Sequence, residues 1–459
     1  MSEVATVEPP KEATTRRERV GWYFYDWANS AFSTSVVSVF LGPYLISVAE
    51  NAQDAHHDVH LWGIPLASGS VFAYAVSLSV LLQVFMLPVV GAIADRSSRK
   101  KQLLALFAYI GAGATIAMVF LTGDRWLLGS GLFVLANVAL GASNVVYNSF
   151  LPQIAGPDER DKVSSIGWAI GYIGGGLLLA LNLVVYTLRD SIGVSEGTVA
   201  RWSIVSAGVW WAAFTTLPLL RLHNRPAVAG DFETAEAATE SRVGRLTDGF
   251  RQLGRTFKRM RAYPLTIMFL VAYLIYNDGI QTVITQAAVF ADKELHLDKS
   301  VQIETILLVQ FLAFGGALLL GRLARRYGAR NTIAWSIVVW LVTLVLAYIL
   351  PAHKPLLFMA LGALIGLVLG GSQALSRSLF SQLIPPDEEA EYFGIYEIAS
   401  DGTTWLGPLL FGLAYQLTGS YRVAIISLLV FFVVGLILLL RVPMRRAIIE
   451  AGNTPPEVV

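Results

Sequence analysis

Cysteine is absent from the 459 residues, so the chain can form neither a disulfide nor a thiolate metal site. Charge is scarce, at 15% of residues against 55% hydrophobic. That balance overrides the roughly three soluble domains that length alone would suggest. A net charge of +1 gives no basis for a nucleic-acid partner. Neither a P-loop, an HExxH pair nor a nucleophile elbow occurs in the sequence, which argues against ATP-driven pumping and the commoner hydrolytic chemistries. An enzyme is not expected, and neither is a catalytic residue, a metal or a cofactor.

What is present is apolar length. Runs of about 20 residues, long enough to cross a bilayer core, recur at about 21–48, 66–93, 103–122, 127–151, 164–186, 202–220, 264–290, 303–324, 331–350, 356–384, 392–417 and 421–441. The fold class read from them is an all-α polytopic membrane protein with twelve transmembrane helices. With both termini in the cytosol, 26 of the 34 Lys and Arg fall in cytosolic segments, the bias that the positive-inside rule requires. Arg16, Arg17 and Arg19 raise the alternative of a twin-arginine export signal. The apolar run behind them is too long for one and contains Asp26, so anchoring charges are the better reading. The expected location is a bacterial cytoplasmic membrane, with the lipid bilayer as partner.

The longest cytosolic connection divides the chain into a tail (1–20), a six-helix bundle (21–220), a linker (221–262), a second six-helix bundle (263–441) and a tail (442–459). The linker begins acidic, in "GDFETAEAATE". It then alternates Val243, Leu246, Phe250, Leu253, Phe257 and Met260 with Arg245, Arg251, Arg255, Lys258 and Arg259. This is the pattern of a basic amphipathic helix, suited to lying on an anionic leaflet or to strapping the bundle from below.

The two bundles repeat each other. "GAIADRSSRK" (91–100) aligns with "GRLARRYGAR" (321–330), and "GASNVVYNSFLPQI" (141–154) with "GSQALSRSLFSQLI" (371–384), both at an offset of 230. "DWANSAFS" (26–33) aligns with "DGIQTVIT" (278–285) at 252. Matches in this order indicate two repeats related by an axis along the membrane normal, a construction used for alternating access around a midplane site.

"GAIADRSSRKK" resembles the 2–3 loop signature of the major facilitator superfamily. "YDWANSAF", "GWAIGYIGGG", "YNDGIQT", "SRSLF" and "LGPLLFG" resemble its branch related to vacuolar amino-acid effluxers. The resemblance implies the major facilitator fold, with helices 1, 4, 7 and 10 lining a central cavity, and amino acids as substrate. It also implies a conformational latch. Gly91 would let a facing helix approach, Asp95 would meet the positive N-terminus of helix 11, and Arg96 and Arg99 would pair with acids across the seam. The second copy has Arg325 where the acid should stand, so only the first copy is expected to latch. In the 10–11 loop, Asp387, Glu388, Glu389 and Glu391 form either a gate or a solvated acidic turn.

Ionisable groups within membrane helices are costly and are functional candidates by default. Asp26 and Asn29 lie one turn apart on helix 1. Asn137, Asn144 and Asn148 form a stripe on helix 4, with Tyr147 beside it. Trp168 and Tyr172 lie on helix 5; Asn277, Asp278 and Gln281 on helix 7; Gln373 and Arg377 on helix 10; Glu397 and Asp401 on helix 11. Asp26 and Asp278 are expected to face a water-accessible path between the halves. The plainer reading makes Asp26 an interfacial acid and the amides helix-to-helix bonds worth about 1 kcal/mol each. A zwitterionic amino acid needs an anion for its ammonium, which Asp26 or Asp278 supplies. Its carboxylate needs a cation or amides, which Arg377 with Asn144 and Gln373 supplies. Glu397 or Asp401 is the candidate for a coupling proton, since desolvation penalises a charged carboxylate.

Gly167, Gly171 and Gly175 form a small-residue ridge for sliding contacts or ordinary packing, as do Gly315 and Gly316. "HHDVH" (56–60) offers metal-binding groups but is too short and isolated to predict a site. The function expected is a secondary active transporter of small polar solutes, amino acids first, acting as a monomer with protons as candidate coupling ion. An exporter of drugs or lipids on the same fold, or a sensor that does not transport, are the competing readings.

Overall fold

The computed structural model describes residues 12–55, 58–61, 63–68, 71–95, 97–225, 259–386, 388–401, 406–418 and 420–458. Arg96, Asp387, His56, His57 and the linker over 226–258 lie outside them, and so does the expected amphipathic helix apart from its last residues.

Helix α1 is an α-helix over Glu12–Ala31, a π-helix over Phe32–Phe40 and an α-helix again over Leu41–Glu50. A nine-residue π stretch is unusual, and apolar periodicity gives no sign of it. A hairpin of β1 (Asp58–Leu61) and β2 (Ile64–Ala67) follows. The first half continues with α2 (Val71–Asp95), α3 (Lys100–Ala117), α4 (Trp126–Asn148), α5 (Arg160–Leu188) and α6 (Glu196–Arg221). The second half holds α7 (Pro264–Lys293), α8 (Lys299–Tyr327), α9 (Ala329–Ile349) and α10 (Pro355–Gln382). It ends with α11 (Glu389–Asp401 and Leu406–Thr418), α12 (Tyr421–Ser427 and Leu429–Arg441) and α13 (Met444–Glu450).

Among the described residues eleven helices are long and apolar enough to span a membrane. The twelfth expected span, 392–417, is α11, described in two segments of 13 residues each. Thirteen residues rise about 20 Å, short of the roughly 30 Å hydrocarbon core, so only the two segments together are long enough.

Each half has its own hydrophobic core, built around Trp22, Phe133 and Trp211 in the first and Phe269, Trp340 and Phe432 in the second. Between the halves, α8 and α10 pack on α5, and α11 packs on α2 and α4. Both tails are tied to the same end of the bundle, called here the terminal end. Arg19 donates to the Ile154 carbonyl at 2.8 Å and pairs with Glu159. Asn453 donates to the Gln382 and Ile384 carbonyls, and the Glu457 amide donates to Asp158 at 2.9 Å.

The glycines of α5 mostly admit α1. A Cβ on Gly167, Gly171, Gly174 or Gly175 would strike Asp26, Ser30, Trp27 or Thr34, all in the same half. Gly167 alone of these four also lies against a side chain of the other half, Arg377. Gly316 admits Leu367 of its own half, and Gly315 faces open space. Ordinary packing within a half is what these positions mainly serve.

Candidate functional site

The hydrogen bonds joining the halves gather at the terminal end, and Arg377 on α10 is their centre. The side chain is buried, at 3% exposure. Its guanidinium donates to Asp26 Oδ2 on α1 at 3.2 Å, to Asn148 Oδ1 on α4 at 3.4 Å, and to the hydroxyl and carbonyl of Ser164 on α5 at 2.9 and 3.0 Å. Its plane sits among the rings of Trp22, Tyr147 and Trp168, with centroids 4.7, 5.7 and 5.4 Å away. Trp22 is itself fixed by stacking on Tyr147 at 4.5 Å and by donating to the Tyr147 carbonyl at 3.0 Å. Gly167 leaves room beside Asp26 and the guanidinium. A buried charge is tolerable when it is paired and its donors are used, and every element of that requirement is met here.

Asn148 extends the network. Its amide donates to Glu397 Oε1 on α11 at 2.7 Å, so one cluster links α1, α4 and α5 of the first half with α10 and α11 of the second. Two further bonds repeat the α5–α10 clasp one turn on. Ser378 donates to Asp161 at 2.6 Å, and Arg160 donates to the Ser381 carbonyl at 2.8 Å. Ser164 also donates to the Ala374 carbonyl. Residues 374, 377, 378 and 381 lie on one face of a helix.

On the other side of the seam, Asp95 accepts the Ala390 and Glu391 amides at 3.0 and 2.8 Å, at the N-terminus of α11. A Cβ on Gly91 would fall on the Ala390 carbonyl, so this approach requires glycine. Lys100, not Arg99, pairs with Asp95, at 3.0 Å. Among the described residues Arg99 has no ion pair, and it is exposed at the start of α3. Glu388 pairs with Arg259 at 2.7 Å.

The other expected residues are placed apart from Arg377. Asn29 donates to Asn144 at 3.0 Å and Asn137 to Ser79 at 2.9 Å, both bonds between helices of one half. Asn277 donates to the Ser400 carbonyl at 2.9 Å. Gln281 and Gln373 are half-buried, and neither bonds Arg377 among the described residues. Asp401 is the last residue of the first α11 segment.

Asp278 does not join the Arg377 cluster as Asp26 does. It is 1% exposed and accepts the Gly407 amide at 2.9 Å. The pseudo-symmetry explains why. Gly171 of α5 lies against Asp26 and Ser30, and Gly407 of α11 lies against Asp278 and Thr282. Helix α5 is continuous at Gly171, so no amide is free and Asp26 reaches across to Arg377. On α11 the Gly407 amide is instead given to Asp278.

At the opposite end a cavity of about 610 Å³ lies between Ser38 and Tyr44 of α1, Leu183 and Tyr186 of α5, Glu196 of α6, and Gln302 and Ile306 of α8. The hydrogen bonds between the halves thus lie at the terminal end, and this cavity lies between them at the other. Sequence reasoning missed Trp22, Arg160, Asp161, Ser164 and Ser378. The polar face of Arg377, Ser378 and Ser381, and the acid and serines opening α5, were the available signals. His60 bonds Asp54 at 3.0 Å, and no metal-binding group of three or more ligands occurs among the described residues.

A family described as "Vacuole effluxer Atg22 like" matches residues 14–452. The chain belongs to this family. The "Uncharacterized MFS-type transporter YxiO" of Bacillus subtilis is 29% identical to this Atg22-like chain over 94% of it and 95% of that protein. "Autophagy-related protein 22-1" of Penicillium rubens is 27% identical over 94% and 91%. Among solved structures, the human organic anion transporter MFSD10 (TETRAN) superposes with a TM-score of 0.64 at 14% identity, covering 93% of this chain and 99% of that one. The E. coli fucose:proton symporter FucP gives 0.63 at 11%, covering 93% and 98%. The fold is that of the major facilitator superfamily, and this Atg22-like protein is a multi-pass membrane transporter of that type, not an enzyme.

Proposed function

We propose that the chain carries amino acids by alternating access, with Arg377 and Asp26 at the centre of the substrate site. The observation that supports this is their buried pair between the halves, ringed by Trp22, Tyr147 and Trp168. A zwitterion presents a carboxylate and an ammonium a short distance apart. The same two groups that satisfy each other in the closed state are the partners it needs. Substrate competing for Arg377 and Asp26 would loosen the bond that holds the terminal end shut, coupling binding to opening by differential affinity for the two states. Glu397, bonded to Asn148, is the proposed route for a coupling proton into the same network. The terminal end is taken as cytosolic, since the basic segments lie there, in the cytoplasmic membrane of a cell, and the protein acts as a monomer.

Counterflow tests the reading. Proteoliposomes loaded with unlabelled mixed amino acids are given trace labelled ones, an arrangement that needs no assumed coupling ion. Specific accumulation is expected. Folded protein that accumulates none of them withdraws the amino-acid assignment and leaves the transporter fold standing.

A further inference from the structure

The two copies of the joint at residues 91–100 and 321–330 differ in charge, most sharply at their fifth position. In the first, Gly91 lies against the opening turn of α11 and, four residues on, Asp95 supplies an anion to that turn. In the second, Gly321 lies against Ser165 in the opening turns of α5, and four residues on stands Arg325. The same joint carries a cation where its twin carries an anion.

A cavity of about 160 Å³ occupies this α5–α8 seam, lined by Lys162, Ser165, Ile166, Leu318, Arg322 and Arg325 among others. None of its three cations is in an ion pair among the described residues. The acids nearest in sequence are engaged elsewhere: Asp158 with the Glu457 amide, Glu159 with Arg19, Asp161 with Ser378. Ser165 is 2% exposed and its hydroxyl has no partner among the described residues. This buried hydroxyl and the three exposed cations line one cavity, a donor set for phosphate oxygens. Ile166 and Leu318 stand one turn deeper toward the membrane centre than Lys162 and Arg322. The cleft is therefore cationic at its rim and apolar below, the polarity of a phospholipid lying in its leaflet.

We propose that this cleft binds the phosphate of an anionic phospholipid, which fills in the second joint the place Asp95 fills in the first. The lipid then touches both halves and favours the state closed at the terminal end. Binding is independent of what the protein transports.

Native mass spectrometry of the full chain, titrated with phosphatidylglycerol, tests the site. The variant Lys162→Gln/Arg322→Gln/Arg325→Gln is compared with wild type and with Arg445→Gln/Arg446→Gln, a control at the same end. Phosphatidylglycerol affinity is expected to fall roughly tenfold or more in the first variant only. Equal affinity in all three, or an equal fall in both variants, overturns the proposal, the second by showing general surface charge. Displacement of the lipid by millimolar inorganic phosphate also overturns it, since the ligand is then a free anion. A fold-preserving check is Arg325→Asp, which restores the acid of the first copy. Phosphatidylglycerol should raise the thermal midpoint of wild type and not of this variant; an equal rise in both counts against the site.

Discussion

The guanidinium of Arg377 lies 3.2 Å from the carboxylate of Asp26, joining α10 of one half to α1 of the other, 351 residues away, inside a ring of aromatic side chains. Removing either partner strands the other as a buried charge, which costs roughly 3–5 kcal/mol. Asp26→Asn and Arg377→Gln are each expected to lower stability by that order, and the double variant by clearly less than the sum. Unfolding of the four proteins in one detergent measures it. Strictly additive losses would show that the pair is not coupled.

Arginine and lysine differ most where several planar donors are used. Arg377→Lys keeps the charge but cannot reach Asp26, Asn148 and Ser164 together. Counterflow is expected to drop roughly tenfold or more while the protein remains monodisperse. Undiminished counterflow would mean that a point charge is sufficient at this position.

Gly91 touches the α11 backbone, and a larger residue must push the terminal end apart. The chain has no cysteine, so a single Ser378→Cys reports on seam access directly. Gly91→Val should raise its maleimide labelling rate several-fold over the Gly91 background. An unchanged rate would show that α2 and α11 adjust without opening the seam.

Asp278 accepts the Gly407 amide of α11. Asp278→Ala is expected to cost about 1–3 kcal/mol because it leaves a buried donor unsatisfied, while Asp278→Asn, which keeps an acceptor, costs less. Transport separates structure from charge. Loss of counterflow in a stable Asp278→Asn protein implicates the carboxylate in the cycle, and full activity confines it to this structural bond.

Glu397 is joined to the Arg377 network through Asn148. Glu397→Gln preserves that bond's shape and removes the titratable group. If Glu397 carries the coupling proton, the variant keeps exchange counterflow and loses the dependence of net transport on external pH. A wild-type pH profile would remove Glu397 from the coupling step.

The apolar runs placed the spanning helices because each must satisfy its own backbone within lipid, and that demand is written locally in about 20 consecutive residues. The resemblance of the 2–3 loop to the superfamily signature implied Gly91 and Asp95 against the start of helix 11, and α11 lies there. Local logic does not say what Asp278 meets. Its alignment with Asp26 is real, yet which way a carboxylate turns depends on whether the neighbouring helix offers a free amide, and that is decided 129 residues away at Gly407. The asparagines of α4 divide for the same reason. Spacing puts Asn137, Asn144 and Asn148 on one stripe, but only Asn148 stands where the second half arrives.

Residue types and their periodicity alone thus determined a helical, two-fold repeated membrane protein with buried charges, because transfer into lipid is priced residue by residue. Which charges meet was left to the packing of one half on the other. Pairing energies depend on distances of a few ångströms between segments far apart in the chain, and only the closed seam sets them.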